Sequence, residues 1–122
     1  MAFDYNPGTN KITCPRNNSG TLEVNVTGMT FGPEDVVAFY IRDPARARKI
    51  REIVLHPDAD GVCVFTLNSG DTDLIPPGKY RWNLRIVTSP QYDADGNLTI
   101  AEDSANSITV FNRAPEFEVL EV

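Results

Sequence analysis

The chain has a single histidine and two cysteines in 122 residues, so it holds few of the side chains on which nucleophilic catalysis and metal binding depend. A His-based triad would have to be built around His56, which precedes Pro57 in a turn-like segment. No Gly-x-Ser-x-Gly elbow or activated-cysteine context accompanies it. His56 is therefore read as an exposed turn residue, and the chain as non-enzymatic, with no cofactor. Cys14 and Cys63 could pair in principle, but as two isolated cysteines in a chain without a secretion signal they are read as free, small, buried apolar groups.

Basic charge is also scarce. Eleven Lys and Arg face seventeen Asp and Glu, a formal charge of −6, which excludes non-specific nucleic-acid binding by the whole surface. No apolar run approaches the length of a membrane span. The opening Met-Ala-Phe-Asp-Tyr-Asn-Pro-Gly has neither the basic nor the apolar part of a secretion signal. The expectation is a soluble protein made in a cytoplasm, with no membrane partner. In that setting the Asn-x-Ser/Thr triplets at Asn17, Asn25 and Asn97 mark turns and polar strand faces only.

What the chain does have is turn residues and alternation. Nine prolines, eight glycines and 41% hydrophobic residues fit one compact, turn-rich domain over residues 1–122. From Lys79 to Val87, Tyr80, Trp82, Leu84 and Ile86 alternate with Lys79, Arg81, Asn83 and Arg85, the pattern of a half-buried strand. Its lead-in, Leu74 to Tyr80, reads Leu-Ile-Pro-Pro-Gly-Lys-Tyr. This predicts a tyrosine corner in which the Tyr80 hydroxyl bonds backbone between Leu74 and Pro77. Tyr80 and Trp82 are the structural corner and should pack inward with Phe39 and Phe65.

In chain order, residues 1–19 read as a loose N-terminal arm with one edge strand, Lys11 to Cys14, ended by Pro15. Thr21 to Thr27 alternates as a strand, with Leu22, Val24 and Val26 inward. Val36 to Arg42 is apolar on both faces, as a central strand is. Pro44 to Arg51 has helical local preference over a turn or two. Ile50 to Leu55 and Val62 to Leu67 read as two arms of a hairpin across His56 to Gly61. A second hairpin loop, Ser89 to Asn97, should return Leu98 to Ala101 along the Trp82 strand. Asn112 to Pro115 interrupts the last apolar stretch and implies a bulge or crossover at a sheet edge.

The count is seven to nine short strands and no long helix. The expected fold is all-β: a two-sheet antiparallel β-sandwich of immunoglobulin or fibronectin-III type, with a small closed barrel as the competing architecture.

Two constellations stand out. Asp-Ala-Asp-Gly occurs at 58–61 and again at 93–96. The second copy, within Gln91 to Glu102, follows an EF-hand loop except at the first position, where Gln replaces Asp. A calcium site there would use Asp93, Asp95 and Glu102. The flanks read as strands, however, and Asp-Gly is common hairpin currency, so solvated turns are the preferred reading and no metal is expected. The second constellation is basic. Arg42, Arg46, Arg48, Lys49 and Arg51 gather five of the eleven cations in one ten-residue window. This is the candidate interaction patch, the alternative being a solvated connector. Glu116, Glu118 and Glu121 are expected to complement it across a subunit contact.

The order of these pieces carries a resemblance. The Phe3-Asp4-Tyr5-Asn6-Pro7 arm, Gly20-Thr21-Leu22-Glu23-Val24, Pro33-Glu34-Asp35-Val36-Val37-Ala38-Phe39, Val64-Phe65-Thr66-Leu67 and Pro77-Gly78-Lys79-Tyr80-Arg81-Trp82 resemble small prophage and phage virion proteins of Gram-positive bacteria, in particular the N-terminal β-sandwich of upper-baseplate proteins. The resemblance spans most of the chain. It implies a structural or adaptor role without catalytic residues, with other virion proteins or a second copy as partners and the virion as destination. Upper-baseplate proteins continue past this domain, so attachment to a receptor-binding partner does not carry over, and a free-standing accessory protein is the form implied. A carbohydrate- or cell-surface-binding module is the alternative function.

Overall fold

The computed structural model describes residues 4–26, 31–44, 48–88, 90–96, 98–99, 107–111 and 113–121. Among them nine strands and one five-residue helical turn follow in the order β1 (Asp4–Asn6), β2 (Lys11–Pro15), β3 (Gly20–Asn25), β4 (Val36–Asp43), β5 (Arg48–Leu55), β6 (Val62–Leu67), α1 (Ser69–Asp73), β7 (Gly78–Val87), β8 (Ser107–Thr109) and β9 (Glu116–Leu120). Seven strands form one sheet in the order β1-β2-β9-β7-β4-β5, with β8 also on β7. β3 and β6 form the other. The protein is an all-β, two-sheet sandwich, and its pairs are antiparallel except β2 with β9, which run parallel.

The core lies between the sheets. From the large sheet come Val37, Phe39 and Ile41, and Tyr80, Trp82, Leu84 and Ile86; from the small one come Cys63, Phe65 and Leu67. Phe39 lies between Phe65 and Trp82, with ring centroids 5.7 and 5.6 Å away, and Trp82 meets the edge of Phe111 at 5.2 Å. Each such side chain contributes about 1.5–3 kcal/mol by leaving water, and the tilted or edge-on contacts suit the ring quadrupoles. Cys14 and Cys63 are free thiols buried in this core.

The tyrosine corner is present: the Tyr80 hydroxyl donates to the Pro76 carbonyl at 2.6 Å. The Thr72 hydroxyl donates to Asn18 O at 2.6 Å, binding α1 to the β2–β3 connection, and Ile75 is buried below it.

Several expectations are corrected. The N-terminal segment is not a loose arm with an edge strand. β2 lies between β1 and β9, Ile12 and Cys14 are fully buried, and the Trp82 indole N–H donates to Asn10 O at 2.9 Å. The helical preference after Pro44 yields from Arg48 onward to a strand, because backbone pairing with β4 outweighs a propensity of a few tenths of a kcal/mol per residue. β5 and β6 do not form a hairpin: β5 pairs with β4, whereas β6 pairs with β3 in the other sheet. The connection between them crosses the sandwich. Asp58 accepts the Asp60 and Val62 amides on one carboxylate oxygen, and Val26 N–H donates to Gly61 O at 2.9 Å. Gly61 has φ 79°, and a Cβ there would lie 2.3 Å from Val26 O, so only glycine fits.

β7 is buried on both faces in its second half, not half-buried. Asn83, Arg85 and Val87, with Val36, Ala38 and Tyr40 beside them on β4, are all buried on the side away from the core. Of the β7–β8 connection, Gly96 and Leu98 line a hollow with Ile50 and Val54 of β5. Leu98 bridges Tyr92 within a local hairpin and not Trp82, while Ile100 and Ala101 of the expected return lie outside the described residues. The return is made by β8.

The break expected at Asn112 to Pro115 falls opposite Asn83, beside a central strand and not at a sheet edge; Asn112 itself lies outside the described residues. β9 pairs with Gly78 to Arg81 and β8 with Arg85 to Val87, so the two share one edge of β7. Between them the Asn83 side chain takes the place of a strand: its amide donates to Phe111 O at 3.0 Å, and its oxygen accepts the Phe111 and Leu84 amides at 3.1 and 2.8 Å. Backbone bonds from Trp82 N to Pro115 O and from Val110 N to Leu84 O flank it.

Removing one buried bond and removing three should cost differently. Tyr80→Phe should lower stability by about 1 kcal/mol. Asn83→Ala, which strands buried backbone groups, should lower it by about 2–3 kcal/mol. Chemical denaturation of both variants measures the difference, and equal losses would contradict the role given to Asn83.

Candidate functional site

The basic window divides between the end of β4 and the start of β5. Arg42 and Lys49 are cross-strand partners where a β-bulge shifts the register. Both cap the buried Tyr40 ring, the Arg42 guanidinium carbon 5.5 Å and the Lys49 ammonium 5.1 Å from its centroid. The negative ring face offsets the repulsion between the two cations, and Glu52 pairs with Lys49 at 3.0 Å. Arg51 donates to Glu52 O at 3.3 Å. With Lys49, Ile50, Glu52, Val54, Gly96 and Leu98, Arg51 lines an open hollow of about 500 Å³. The structure thus brings Arg42, Lys49 and Arg51 to one edge of the large sheet. Arg46 and the Arg48 side chain lie outside the described residues.

The expected acidic complement is engaged elsewhere. Lys11 Nζ lies 2.9 Å from a carboxylate oxygen of Glu116 and 2.9 Å from one of Glu118, tying β2 to β9 within one chain. The hydrogen bond from Lys11 holds the Glu116 carboxyl below the ordinary range, and the two carboxylates push the Lys11 ammonium upward. These two glutamates are therefore not available as free complements to the patch.

Carboxylates do collect at the opposite end of the strands. Glu34 and Asp35 precede β4, while Asp58 and Asp60 lie between β5 and β6. The contact from His56 Nδ1 to Asp35 O at 3.2 Å shows that these loops are neighbours. Since a carbonyl only accepts, Nδ1 carries the proton in this contact. Pro33, Glu34, His56, Pro90 and Tyr92 line a hollow of about 390 Å³ at this end, and Tyr92 is half exposed. Neither Tyr40 nor Tyr92 stood out in the sequence. The Arg42 spacing, two residues on from Tyr40 in a strand, was the available signal for the first. No comparable signal marks the second.

The calcium candidate resolves in part. Asp93 uses a carboxylate oxygen to accept the Asp95 amide at 2.9 Å, and Gly96, at φ 83°, closes the turn onto Asp93 O. Glu102 lies outside the described residues. Among the described residues no three His, Cys, Asp or Glu side chains gather as a metal site. Burial raises the Cys14 and Cys63 thiols above their ordinary range, away from the thiolate needed for reactivity. Tyr80 and Trp82 face the core, as the alternation predicts. No helix of the described residues is long and apolar enough to cross a membrane. No family model, curated protein or solved structure matches the chain.

The Lys11 ion pairs give stability a pH signature. The contribution of the depressed Glu116 is present above the unfolded carboxyl value, near 4.5, and is lost as pH falls through the lower folded value. That of Lys11 is present below its unfolded value, near 10.5, and is lost as pH rises through the higher folded one. Lys11→Met should therefore flatten the loss of stability between about pH 5 and about pH 3. Thermal melts across that range read the slope, and an unchanged slope would show that the pairs contribute nothing measurable.

Proposed function

We propose that this protein is a non-enzymatic assembly or docking module that works through the segregation of charge along its strands. Arg42 and Lys49 stand at one end of the β4–β5 pair, and Glu34, Asp35, Asp58 and Asp60 at the other. That separation is the observation that carries the reading. Two β5 edges repel each other, so this edge suits an acidic surface and not its own copy face to face. The acidic end of a second copy is such a surface, and a contact of this kind is head-to-tail, closing into rings or extending into filaments according to the rotation per subunit. The resemblance to phage and prophage virion proteins, and with it an immunoglobulin or fibronectin-III kinship supported by the tyrosine corner, suggests a virion, baseplate or accessory position. In that setting a small sandwich repeats its contacts with other virion proteins or with itself after synthesis in a bacterial cytoplasm.

A second reading, a sugar- or cell-surface-binding module, gains one specific observation: Tyr92 is a half-exposed ring beside Glu34 and His56 in the 390 Å³ hollow. An aromatic face flanked by hydrogen-bonding groups suits a pyranose ring.

The readings separate cleanly. Reversing charge with Arg42→Glu and Lys49→Glu should abolish sedimentation-detected self-association or co-assembly at low salt, and rising ionic strength should weaken the unsubstituted protein in parallel. Insensitivity to both would overturn the assembly proposal. Saccharide binding on a glycan array, lost in Tyr92→Ala at unchanged melting temperature, would establish the second reading in its place.

A further inference from the structure

The small sheet is two strands wide and does not cover the large one. Ile108 lies opposite Ile86 in the ladder, and Val110 opposite Leu84, so both point to the core side of the large sheet. Yet they are 52% and 43% exposed, whereas Ile86 and Leu84 are buried. Next to them a groove of about 300 Å³ runs between the sheets, walled by Leu22 and Val24 on one side and by Trp82, Leu84 and Phe111 on the other, with Tyr5 at its mouth. The backbone residues bordering it are Thr21 and Glu23 of β3.

Among the described residues that border is an open hydrogen-bonding edge. In an antiparallel ladder alternate residues direct both N–H and C=O toward the same neighbour. Val26 N–H bonds Gly61 on the β6 side, so Val24 and Leu22 also face β6, and Asn25, Glu23 and Thr21 direct their backbone groups away from it. Among the described residues β3 pairs only with β6.

We infer that this groove is a strand acceptor, completed by one extended peptide segment that pairs with the free edge of β3. Inward side chains of such a segment, at every second position, would cover Ile108, Val110 and Phe111, which is the apolar half of its required pattern. The outward positions meet Thr21, Glu23 and Asn25, and the Glu23 carboxylate favours Lys or Arg opposite it. The groove, about 300 Å³, has room for the inward side chains of one strand, and the Glu23 carboxylate on its border sets the charge of the outward ones. The occupant is accordingly a single strand from a flexible region of another protein, apolar at alternate positions and basic between them. This inference is independent of the charge-based docking above, since it uses a different edge of the other sheet.

The test uses the whole chain and an acetylated, amidated heptapeptide of pattern Thr-Val-Lys-Val-Lys-Val-Thr, with a scrambled peptide of equal composition as control. At saturation, amide exchange at Thr21, Glu23 and Asn25 should slow by about tenfold or more, with little change at Leu22 and Val24. Glu23→Pro removes only an outward-facing N–H, and Val110→Asp alters an already exposed position, so each should stay folded and weaken peptide binding by about tenfold or more. Absence of protection, equal protection by the scrambled peptide, or full binding by both folded variants would overturn the proposal. So would protection of the same three amides without peptide in a sample that light scattering shows to dimerise, because the occupant would then be a second copy.

Discussion

A strand has two hydrogen-bonding edges, and β7 must give one of them to two strands that follow one another along it, β8 and then β9. β4 takes the first edge from Arg81 to Val87. On the second, β9 occupies the start and β8 the finish, leaving a gap in the middle whose backbone groups are buried. A single amide side chain, Asn83, offers one donor and one two-fold acceptor in the plane of the sheet and fills that gap. The arrangement also explains why Trp82 is so firmly held. Its backbone N–H bonds Pro115 just before the gap, its indole N–H reaches Asn10, and its ring lies between Phe39 and Phe111. The first strands, the last strands and the core are coupled through adjacent residues of β7.

The uneven division of strands governs the surface chemistry as well. Seven strands against two leave the large sheet covered by three different things: the small sheet at its centre, α1 and the tyrosine corner at one end, and, beside β5 on its far side, Gly96 and Leu98 of the β7–β8 connection. Cations occupy the β5 edge, where like charge discourages pairing between copies. Lys11 offsets one of the two negative charges that Glu116 and Glu118 bring to β9.

How far the sequence carries can be judged from particular residues. The core-facing side of β7, the tyrosine corner, the two-faced burial of β4 and the break before Pro115 follow from alternation and proline chemistry, which are local properties. Asn83 and Arg85 were misleading because polar residues in an alternating strand normally face water. Asn83 is instead engaged with the backbone of Leu84 and Phe111, which alternation does not show. The strand character of Arg48 to Arg51 and the separation of β5 from β6 are likewise tertiary outcomes, decided by which edge was available for pairing. Of the candidate patch, the clustering of Arg42, Lys49 and Arg51 was legible from spacing. Its anchoring on Tyr40 needed the register, and the loss of Glu116 and Glu118 to Lys11 needed the parallel pairing of two strands about a hundred residues apart.

That parallel pair bears on how the protein is made. β2 emerges from a ribosome about a hundred residues before β9, and parallel partners so remote in the chain cannot meet through a local turn. Until β9 is translated, the nascent chain must hold Ile12 and Cys14 without their neighbours Phe117 and Val119, and β7 must wait with half an edge open. Cooperative folding is thereby postponed until β9 has left the ribosome, and a ribosome stalled before Glu116 would present a sticky, incomplete sheet to cellular quality control.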